Sequence, residues 1–353
     1  MTVYCGVDFH ARQQTISCCD TVTGGVQRVE LDHQRDDVRA FYAQFTGEVI
    51  VGLEASGYSG WFEEMLEELG HTIWMGNPAE IRRKAPRRQK NDQRDADLML
   101  DLMLKGDFPR VHRQRAASRA VMRQLRYRHK LVKLRTIAKN SLYAIGINAG
   151  LPLKGKLLTT RGETQLRGAS LSPVLSSQRD EWLELVETLD QRVAAVETQL
   201  EQAAAGDSQV VRLRTHPGVG LLTALAVRHT LDPAGRFHTG RQVAAYVGLD
   251  PVEDSSGPVR RMGGVSKEGS RLLRFLLGQA GHSACRTDAD LKRFYQRLVH
   301  RRNRPKAKVA VARKLLVRCF IMLRDQIDYA VFVQRGVAAR SARKSHRPNV
   351  PDL

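Results

Sequence analysis

Two short apolar runs that each end in an acidic residue constrain the fold of this chain more than any other feature. Residues 3–7 read VYCGV and precede Asp8, and residues 49–53 read VIVGL and precede Glu54. Short runs rich in β-branched residues predict buried strands. An acid that closes such a strand lies at the edge of a sheet. The pattern therefore predicts an α/β domain with two carboxylates at one edge of its sheet.

A second acidic pair follows at Asp92 and Asp95, whose spacing of three residues places both carboxylates on one face of a helix. Asp97 lies about 200° around the helix from Asp95 and points away, and Asp101 lies farther along. Carboxylates that converge repel one another, and a bound divalent cation relieves the repulsion. The residues predicted to bind the cation are Asp8, Glu54, Asp92 and Asp95.

The charge of the chain is large, positive and unevenly distributed. The formal net charge is +20 over 353 residues. Residues 1–80 hold 4 Lys/Arg and 13 Asp/Glu, a balance of −9, which leaves +29 for residues 81–353. A strongly basic region favours a polyanionic partner such as nucleic acid. The asymmetry predicts an acidic catalytic part followed by basic parts that hold DNA.

Cysteine content and hydropathy exclude several protein classes. The five cysteines are odd in number and show no CxxC spacing, so neither a disulfide framework nor a zinc site is expected. No signal-peptide pattern opens the sequence, and no apolar stretch approaches the ~20 residues of a membrane span. We therefore expect a cytoplasmic protein that works on the nucleoid.

The order of predicted elements indicates how the chain is organised. Three strands, a helix, a strand, a helix, a strand and a helix follow one another within residues 1–108, which is a ribonuclease-H-like order. A helical arm with coiled-coil character is predicted for 109–207, because Trp182, Val186, Leu189, Val193, Val196 and Leu200 alternate spacings of 4 and 3. This seam is a candidate for contacts between protomers in a dimer or tetramer. An ordinary amphipathic helix, or pairing of two helices within the arm as a hairpin, remains an alternative.

The C-terminal part, 208–332, is predicted to be mainly helical, and 333–353 is predicted to be a basic, disordered tail. The turn around Gly218 and Gly220 resembles the Gly-x-Gly turn of helix–hairpin–helix modules, whose N–H groups can hold a phosphate. A tight turn with only a packing role is equally compatible. Basic residues that are candidates for nucleic-acid contacts follow at Arg260, Arg261, Lys267, Arg271 and Arg274.

Several segments together resemble the DEDD transposases of insertion sequences, which are RuvC-like recombinases related to the pilin-gene invertase. In the N-terminal part they are GVD at 6–8, GLEASG at 52–57 and NDQRDA at 91–96. In the C-terminal part they are HPGVG at 216–220, AYVGLDP at 245–251, SG at 256–257 and VSKEGSRLLR at 265–274. Asn91, where Thr is more usual, and Pro258 depart from the pattern.

The resemblance implies a RuvC-like N-terminal domain whose four acids bind Mg²⁺. It also implies a C-terminal transposase domain and strand exchange through a phosphoserine intermediate. It also implies that a structured guide RNA pairs with double-stranded donor and target DNA. Ser256 matches the position of the nucleophile, while Ser255 and, more distantly, Tyr246 are rivals. A Holliday-junction-type nuclease that uses water, and a nucleic-acid-binding protein without catalysis, are the alternative functions.

Overall fold

The computed structural model of the chain describes residues 2–55, 57–85, 92–151, 159–253 and 261–345. They form two compact units that divide between Arg113 and Gln114. Ser255, Ser256 and Arg260 lie outside the described residues. Among the described helices, none is both long enough and apolar enough to span a membrane.

The N-terminal unit is an α/β domain whose elements follow the predicted order. Its mixed sheet has the strand order β3-β2-β1-β4-β5. Strand β1 is antiparallel to β2 and parallel to β4. One short helix, α3, was not predicted; it begins with Asn77, whose side chain caps the helix, followed by Pro78. The elements are β1 Thr2–Phe9, β2 Gln13–Asp20, β3 Val26–Asp32, α1 Arg35–Ala43, β4 Glu48–Glu54, α2 Gly60–Glu68, β5 Thr72–Gly76, α3 Pro78–Lys84 and α4 Asp92–Leu104.

The central strands β1 and β4 are buried on both faces, because helices cover the sheet on each side. Val7 of β1 and Leu53 of β4 pack with Tyr42 of α1 and Phe62 of α2. On the opposite face, Ile50 of β4 packs with residues of α3 and α4. Since side chains alternate along a strand, Asp8 and Glu54 lie on the same face as α4.

One cysteine pair differs from the sequence-based expectation. Cys5 and Cys18 are direct partners across the antiparallel pair of β1 and β2, and their sulfurs are bonded. The other cysteines, Cys19, Cys285 and Cys319, are free. This single bridge joins two neighbouring strands and is not a framework of several disulfides. The sequence analysis did not find it, because the pairing depends on the register of the two strands, which cysteine spacing does not reveal.

The C-terminal unit is helical, with one two-stranded sheet. Its long helices α5 and α7 form an antiparallel hairpin, in which Arg128 pairs with Glu197 and Arg135 pairs with Asp190. The elements are α5 Ala116–Asn148, α6 Thr160–Arg167, α7 Pro173–Ala204, α8 Ser208–Arg214, α9 Leu221–Leu231, α10 Gly240–Val247, β6 Pro251–Glu253, β7 Met262–Val265, α11 Arg271–Thr287, α12 Ala289–Arg301, α13 Arg304–Arg324 and α14 Tyr329–Ser345.

The apolar seam of α7 is filled from within the chain. Leu189 and Val196 are buried in one core with Met122 and Leu125 of α5. The seam is therefore not available for contacts between protomers, and its assignment to such contacts was wrong. Pairing within the arm, the alternative, is what the chain adopts. A period of 3.5 residues specifies a buried stripe but does not say which helix covers it.

The predicted disordered tail is helical over all of its described length. Residues 333–345 belong to α14, and residues 346–353 lie outside the described part. The disorder prediction relied on charge and on the two prolines, but both prolines come after Ser345. The residues of α14 include several Ala and Arg, which favour a helix.

Candidate functional site

The end of β1 and the start of α4 bring three potential metal ligands together. The Nε2 atom of His10 lies 3.1 Å from Oδ2 of Asp8 and 3.6 Å from Oδ1 of Asp92. One ligand atom from each residue lies within 4.8 Å of the others. Two carboxylates and an imidazole are suitable ligands for a divalent cation. The predicted meeting of Asp8 with the acidic helix is therefore confirmed.

Glycines in the strands explain how the helix reaches the end of β1. Gly6 and Gly52 are direct partners across the parallel pair β1/β4. Each precedes its acid by two residues and so lies on the same face of the sheet. A Cβ on Gly6 would stand 2.5 Å from the backbone N of Leu100. Because neither strand carries a side chain there, α4 packs directly on the backbone of β1.

The other two predicted ligands lie nearby but outside the three-residue group. Glu54 ends β4, and continuing the β1/β4 register by one residue places it beside Asp8. Asp95 is half-buried on the first turn of α4, close enough to act electrostatically on Asp8. The structure thus places both at the same edge of the sheet.

The two rival acids on α4 have other partners. Asp97 accepts hydrogen bonds from Ser17 Oγ at 2.6 Å and from Arg28 Nε at 2.9 Å, on the side of β2 and β3. Asp101 pairs with Lys105 on the surface. The prediction that Asp97 points away from the acidic pair is therefore confirmed.

The electrostatics of the site disfavour a charged Asp8. Burial raises the pKa of the Asp8 carboxyl, and the neighbouring Asp95 and Asp92 raise it further, while His10 lowers it. A raised pKa means that the anionic form is less stable here than in water. A cation at this position would favour the anion, which is the behaviour expected of a metal ligand.

His10 is the one residue of the cluster that the sequence analysis missed. It lies just beyond β1, in the turn to β2, and its side chain is 47% exposed. A lone histidine carries little information in a sequence. The available signal was its spacing: His10 follows Asp8 by two residues, so both extend toward the same side if the chain stays extended.

The segment 254–260, which contains Ser256, connects β6 to β7. Both ends of this hairpin are held firmly. Gly248 and Gly269, both with positive φ, allow the loop after α10 and the loop before α11 to pack backbone against backbone. Ser266 Oγ donates to Asp250 Oδ1 at 2.7 Å. The segments 245–251 and 265–274 thus pack against each other and form the base of the hairpin.

The basic candidates around this base differ in what their side chains do. Lys267 and Arg271 are exposed and line one cleft. Arg274 donates to the carbonyl oxygens of Val247 and Glu268 and so ties α10 to the next loop. Arg261 is exposed just before β7.

The predicted Gly-x-Gly turn connects α8 to α9. Gly218 has φ +83°, and a Cβ there would stand 2.5 Å from the backbone N of Ala284. Packing alone therefore accounts for this glycine. Gly220 is the N-cap residue of α9 and has no side chain that could cap the helix, and the first N–H groups of a helix can hold a phosphate.

His216, at the start of this turn, belongs to a buried polar network. Its Nε2 atom faces Arg318, which forms an ion pair with Asp288. Tyr329 Oη donates to Asp288 Oδ2 at 2.6 Å. Burial lowers the pKa of His216 to about 4, so the ring is neutral at pH 7. The network joins α8, α12, α13 and α14 around the turn.

Both halves of the chain match transposase family models. Residues 5–145 match a DEDD-type model described as "Transposase", and residues 210–296 match one described as "Transposase IS116/IS110/IS902 family". The first match contains β1, β4 and α4 with their acids. The second contains the β6–β7 hairpin and the turn between α8 and α9.

Curated relatives agree with these matches. A "Probable family 20 transposase" of Pseudomonas aeruginosa is 31% identical over 294 residues, covering 80% of this chain and 85% of that protein. The "Transposase for insertion sequence element IS1111A" of Coxiella burnetii is 27% identical, covering 82% and 83%. The transposase of element IS1328 from Yersinia enterocolitica is 26% identical, covering 65% and 69%. From the family models and this degree of identity, the chain belongs to the IS110/IS116/IS902 family of transposases.

Proposed function

We propose that this transposase cleaves and rejoins double-stranded DNA in a Mg²⁺-dependent reaction, with Ser256 as the nucleophile. The observation that carries the proposal is the meeting of Asp8, His10 and Asp92 within 4.8 Å, beside Glu54 and Asp95. Such a group of acids in a basic chain suits phosphodiester chemistry. The strand order and the position of the acids support a ribonuclease-H-like, RuvC-like assignment for the N-terminal unit.

A bound divalent cation would neutralise charge on the scissile phosphate and acidify a nucleophilic hydroxyl. Asp8, Glu54, Asp92 and Asp95 would hold it, and the Gly6 contact would keep α4 at the required distance. Burial at the end of β1 lowers the local dielectric response, which strengthens each of these charge interactions.

In the proposed step, Ser256 Oγ forms a bond to phosphorus while the bond to the leaving deoxyribose oxygen breaks. The serine proton passes to solvent or a nearby base. Attack by the deoxyribose oxygen of another strand then reverses the reaction and frees the serine. The firm base of the β6–β7 hairpin supports this role, because it fixes where the segment with Ser256 begins and ends. Ser256 lies about 160 residues beyond Asp95, so it reaches the acids by folding back or from a second protomer.

The partners follow from the charge and from the family. Donor and target DNA, a structured guide RNA and a homo-oligomer on DNA are all proposals. The balance of +29 beyond residue 80 supports polyanion binding without distinguishing DNA from RNA. Since the seam of α7 is buried within the chain, protomers would have to meet through another surface.

Denaturing electrophoresis of the full chain with end-labelled element DNA, Mg²⁺ and the cognate RNA tests the proposal. The wild type should form a covalent protein–DNA adduct that disappears in Ser256→Ala. Asp8→Asn should also abolish the adduct while leaving the melting temperature equal or higher, since it removes a destabilised carboxylate. Asp101→Asn is the matched control, because it changes an acid on the same helix that pairs with the solvent-exposed Lys105.

Each alternative gives a different pattern in this assay. DNA cleavage without any adduct would establish water as the nucleophile and favour the Holliday-junction-type nuclease. An adduct that survives Ser256→Ala but is lost in Ser255→Ala would move the role by one residue. Binding without Mg²⁺-dependent cleavage under any condition would leave only the non-catalytic nucleic-acid-binding protein.

A further inference from the structure

A groove on the C-terminal unit has no role in the proposed reaction. It has a volume of about 450 Å³ and lies between α5 and α11. Its floor is apolar, with the buried Leu125 and Leu272. Phe275 is 48% exposed in its wall, and its ring centroid lies 4.9 Å from that of His129. An aromatic ring so exposed within a concave surface offers a face for a planar ligand.

The groove continues past Phe275 into a second, larger cleft. This cleft has a volume of about 780 Å³ and is lined by Lys267, Arg271 and Lys308 as well as by Phe275. Lys133 lines the first groove. Among the described residues that line the two clefts, none is acidic. Phe275 therefore lies at the junction of one continuous basic path.

The cations along this path are available for a ligand. In the part of the chain that the structure describes, Lys133, Arg271, Lys267 and Lys308 have no acidic partner. Burial lowers the pKa of His129, and the nearby Lys133, Arg128 and Arg271 lower it further. The contributions of these three cations to the pKa reflect a positive potential in the groove.

We propose that the two clefts form one binding groove for an unpaired nucleic-acid strand, with a base stacked on Phe275 and phosphates held by the flanking lysines and arginines. Stacking on an aromatic ring beside cations is how proteins bind single strands. A duplex hides the faces of its bases and cannot use Phe275. A second copy of this chain that met the groove with its own groove would bring the same positive charge and no acidic lining residue.

This inference rests on the proposed function only in taking a nucleic acid as the ligand; it involves neither the acids of the metal site nor Ser256. Strand exchange and guide pairing both expose unpaired strands, so the groove would hold one while it awaits its new partner. DNA and RNA share the chemistry of base face and phosphate. The test therefore includes both.

Fluorescence anisotropy in EDTA, with labelled oligo-dT and oligo-U of roughly 15 nucleotides and a duplex of equal length, measures the binding. Phe275→Ala should weaken single-strand binding about tenfold, the loss of one stacked base at ~1.4 kcal/mol. Phe275→Trp should restore it. Tyr127→Ala is the matched control, because Tyr127 is 46% exposed on α5 but does not line the groove. If Phe275→Ala weakens the binding of oligo-dT more than that of oligo-U, the ligand is DNA, and the reverse order identifies RNA.

The charges are tested by salt dependence. Lys133→Gln and Arg271→Gln should each reduce the slope of log affinity against log salt by about 0.7. Arg39→Gln removes an equal charge from α1 of the N-terminal unit and should leave the slope unchanged.

Three results would overturn the inference. Phe275→Ala could bind single strands as the wild type does, or it could weaken duplex binding to the same extent. It could also change the mass of the free protein in sedimentation while oligonucleotide affinity stays constant, which would make the groove an interface between copies. Since the adduct assay uses Mg²⁺ and Ser256, it reports separately on the proposed function.

Discussion

The carbonyl oxygen of Ala96 lies 2.6 Å from the point where a Cβ on Gly6 would stand. Helix α4 thus packs directly on the backbone of β1. In α4 the contact lies at Ala96, four residues after Asp92, and in β1 it lies at Gly6, two residues before Asp8. This contact sets the separation between the two carboxylates. The glycine two residues before each strand-terminal acid is therefore part of how the candidate metal site is built.

Gly6→Ala should separate α4 from β1. The added methyl overlaps backbone atoms, which cannot move as a flexible side chain can, so we expect a loss of about 1–3 kcal/mol in unfolding free energy. Calorimetry should show that folded Gly6→Ala binds Mn²⁺ or Mg²⁺ more weakly than the wild type does. Gly235→Ala is the control, because a Cβ there meets nothing within 4 Å. If folded Gly6→Ala bound the metal as tightly as the wild type, the contact between α4 and β1 would have no role in metal binding.

His10→Ala should reduce the affinity for Mn²⁺ about tenfold or more and affect Mg²⁺ less. Imidazole nitrogen suits transition metals, whereas Mg²⁺ prefers oxygen ligands. Electron paramagnetic resonance of Mn²⁺ titrations, with Mg²⁺ as competitor, measures both affinities. His238→Ala removes an exposed histidine elsewhere and serves as the control. Equal losses for the two cations would show that His10 only positions Asp8 and Asp92.

Leu189→Lys should destabilise the C-terminal unit by about 3 kcal/mol or more. Leu189 is 5% exposed in the core between α5 and α7, and a lysine there loses apolar contacts and buries a charge. Leu185→Lys, on the same helix but at a position 41% exposed, should change stability little. Thermal unfolding of both variants checks this. If Leu189→Lys were as stable as the wild type but formed a smaller oligomer, the seam of α7 would instead form contacts between protomers.

His216 should make the C-terminal unit less stable in acid. Its pKa is about 4 in the folded chain, below the ordinary value of 6.5, so the unfolded chain binds the proton more tightly. The contribution is present above pH 6.5 and is lost as the pH falls toward 4. It amounts to about 3 kcal/mol between pH 7 and pH 4.

His216→Phe keeps a ring against Tyr329 but removes the titrating group. Its stability at pH 7 should be lower, because Arg318 loses the ring nitrogen it faces, yet its loss from pH 7 to pH 4 should be smaller than in the wild type. Urea unfolding at both pH values measures the difference. Asp288 titrates in both proteins. Burial raises its pKa, but the hydrogen bonds that it accepts from Tyr329 and Leu291, together with Arg318, lower the pKa below its ordinary value. Identical pH dependence in the two proteins would exclude the imidazole as the cause.

The sequence by itself determined the elements of the N-terminal unit, apart from the short α3, and the acids that close two of its strands. Strand β4, Glu48–Glu54, contains the apolar run predicted to be a buried strand and ends at the predicted acid, because a short run rich in β-branched residues favours a buried strand. The geometry of a single helix places Asp92 and Asp95 on one face and directs Asp97 away from them. Such features depend on neighbours along the chain, which the sequence displays directly.

Only the tertiary structure decided which surfaces meet. The seam of α7 was visible in the sequence, but its partner, α5, lies across a long connection, and apolar stripes do not identify one another. The same holds for the Cys5–Cys18 pair, for the approach of His10 to Asp92, and for the basic path past Phe275, which joins α5 to α11 and α13. These relationships depend on register and packing between distant segments, and a period along one element carries no information about them.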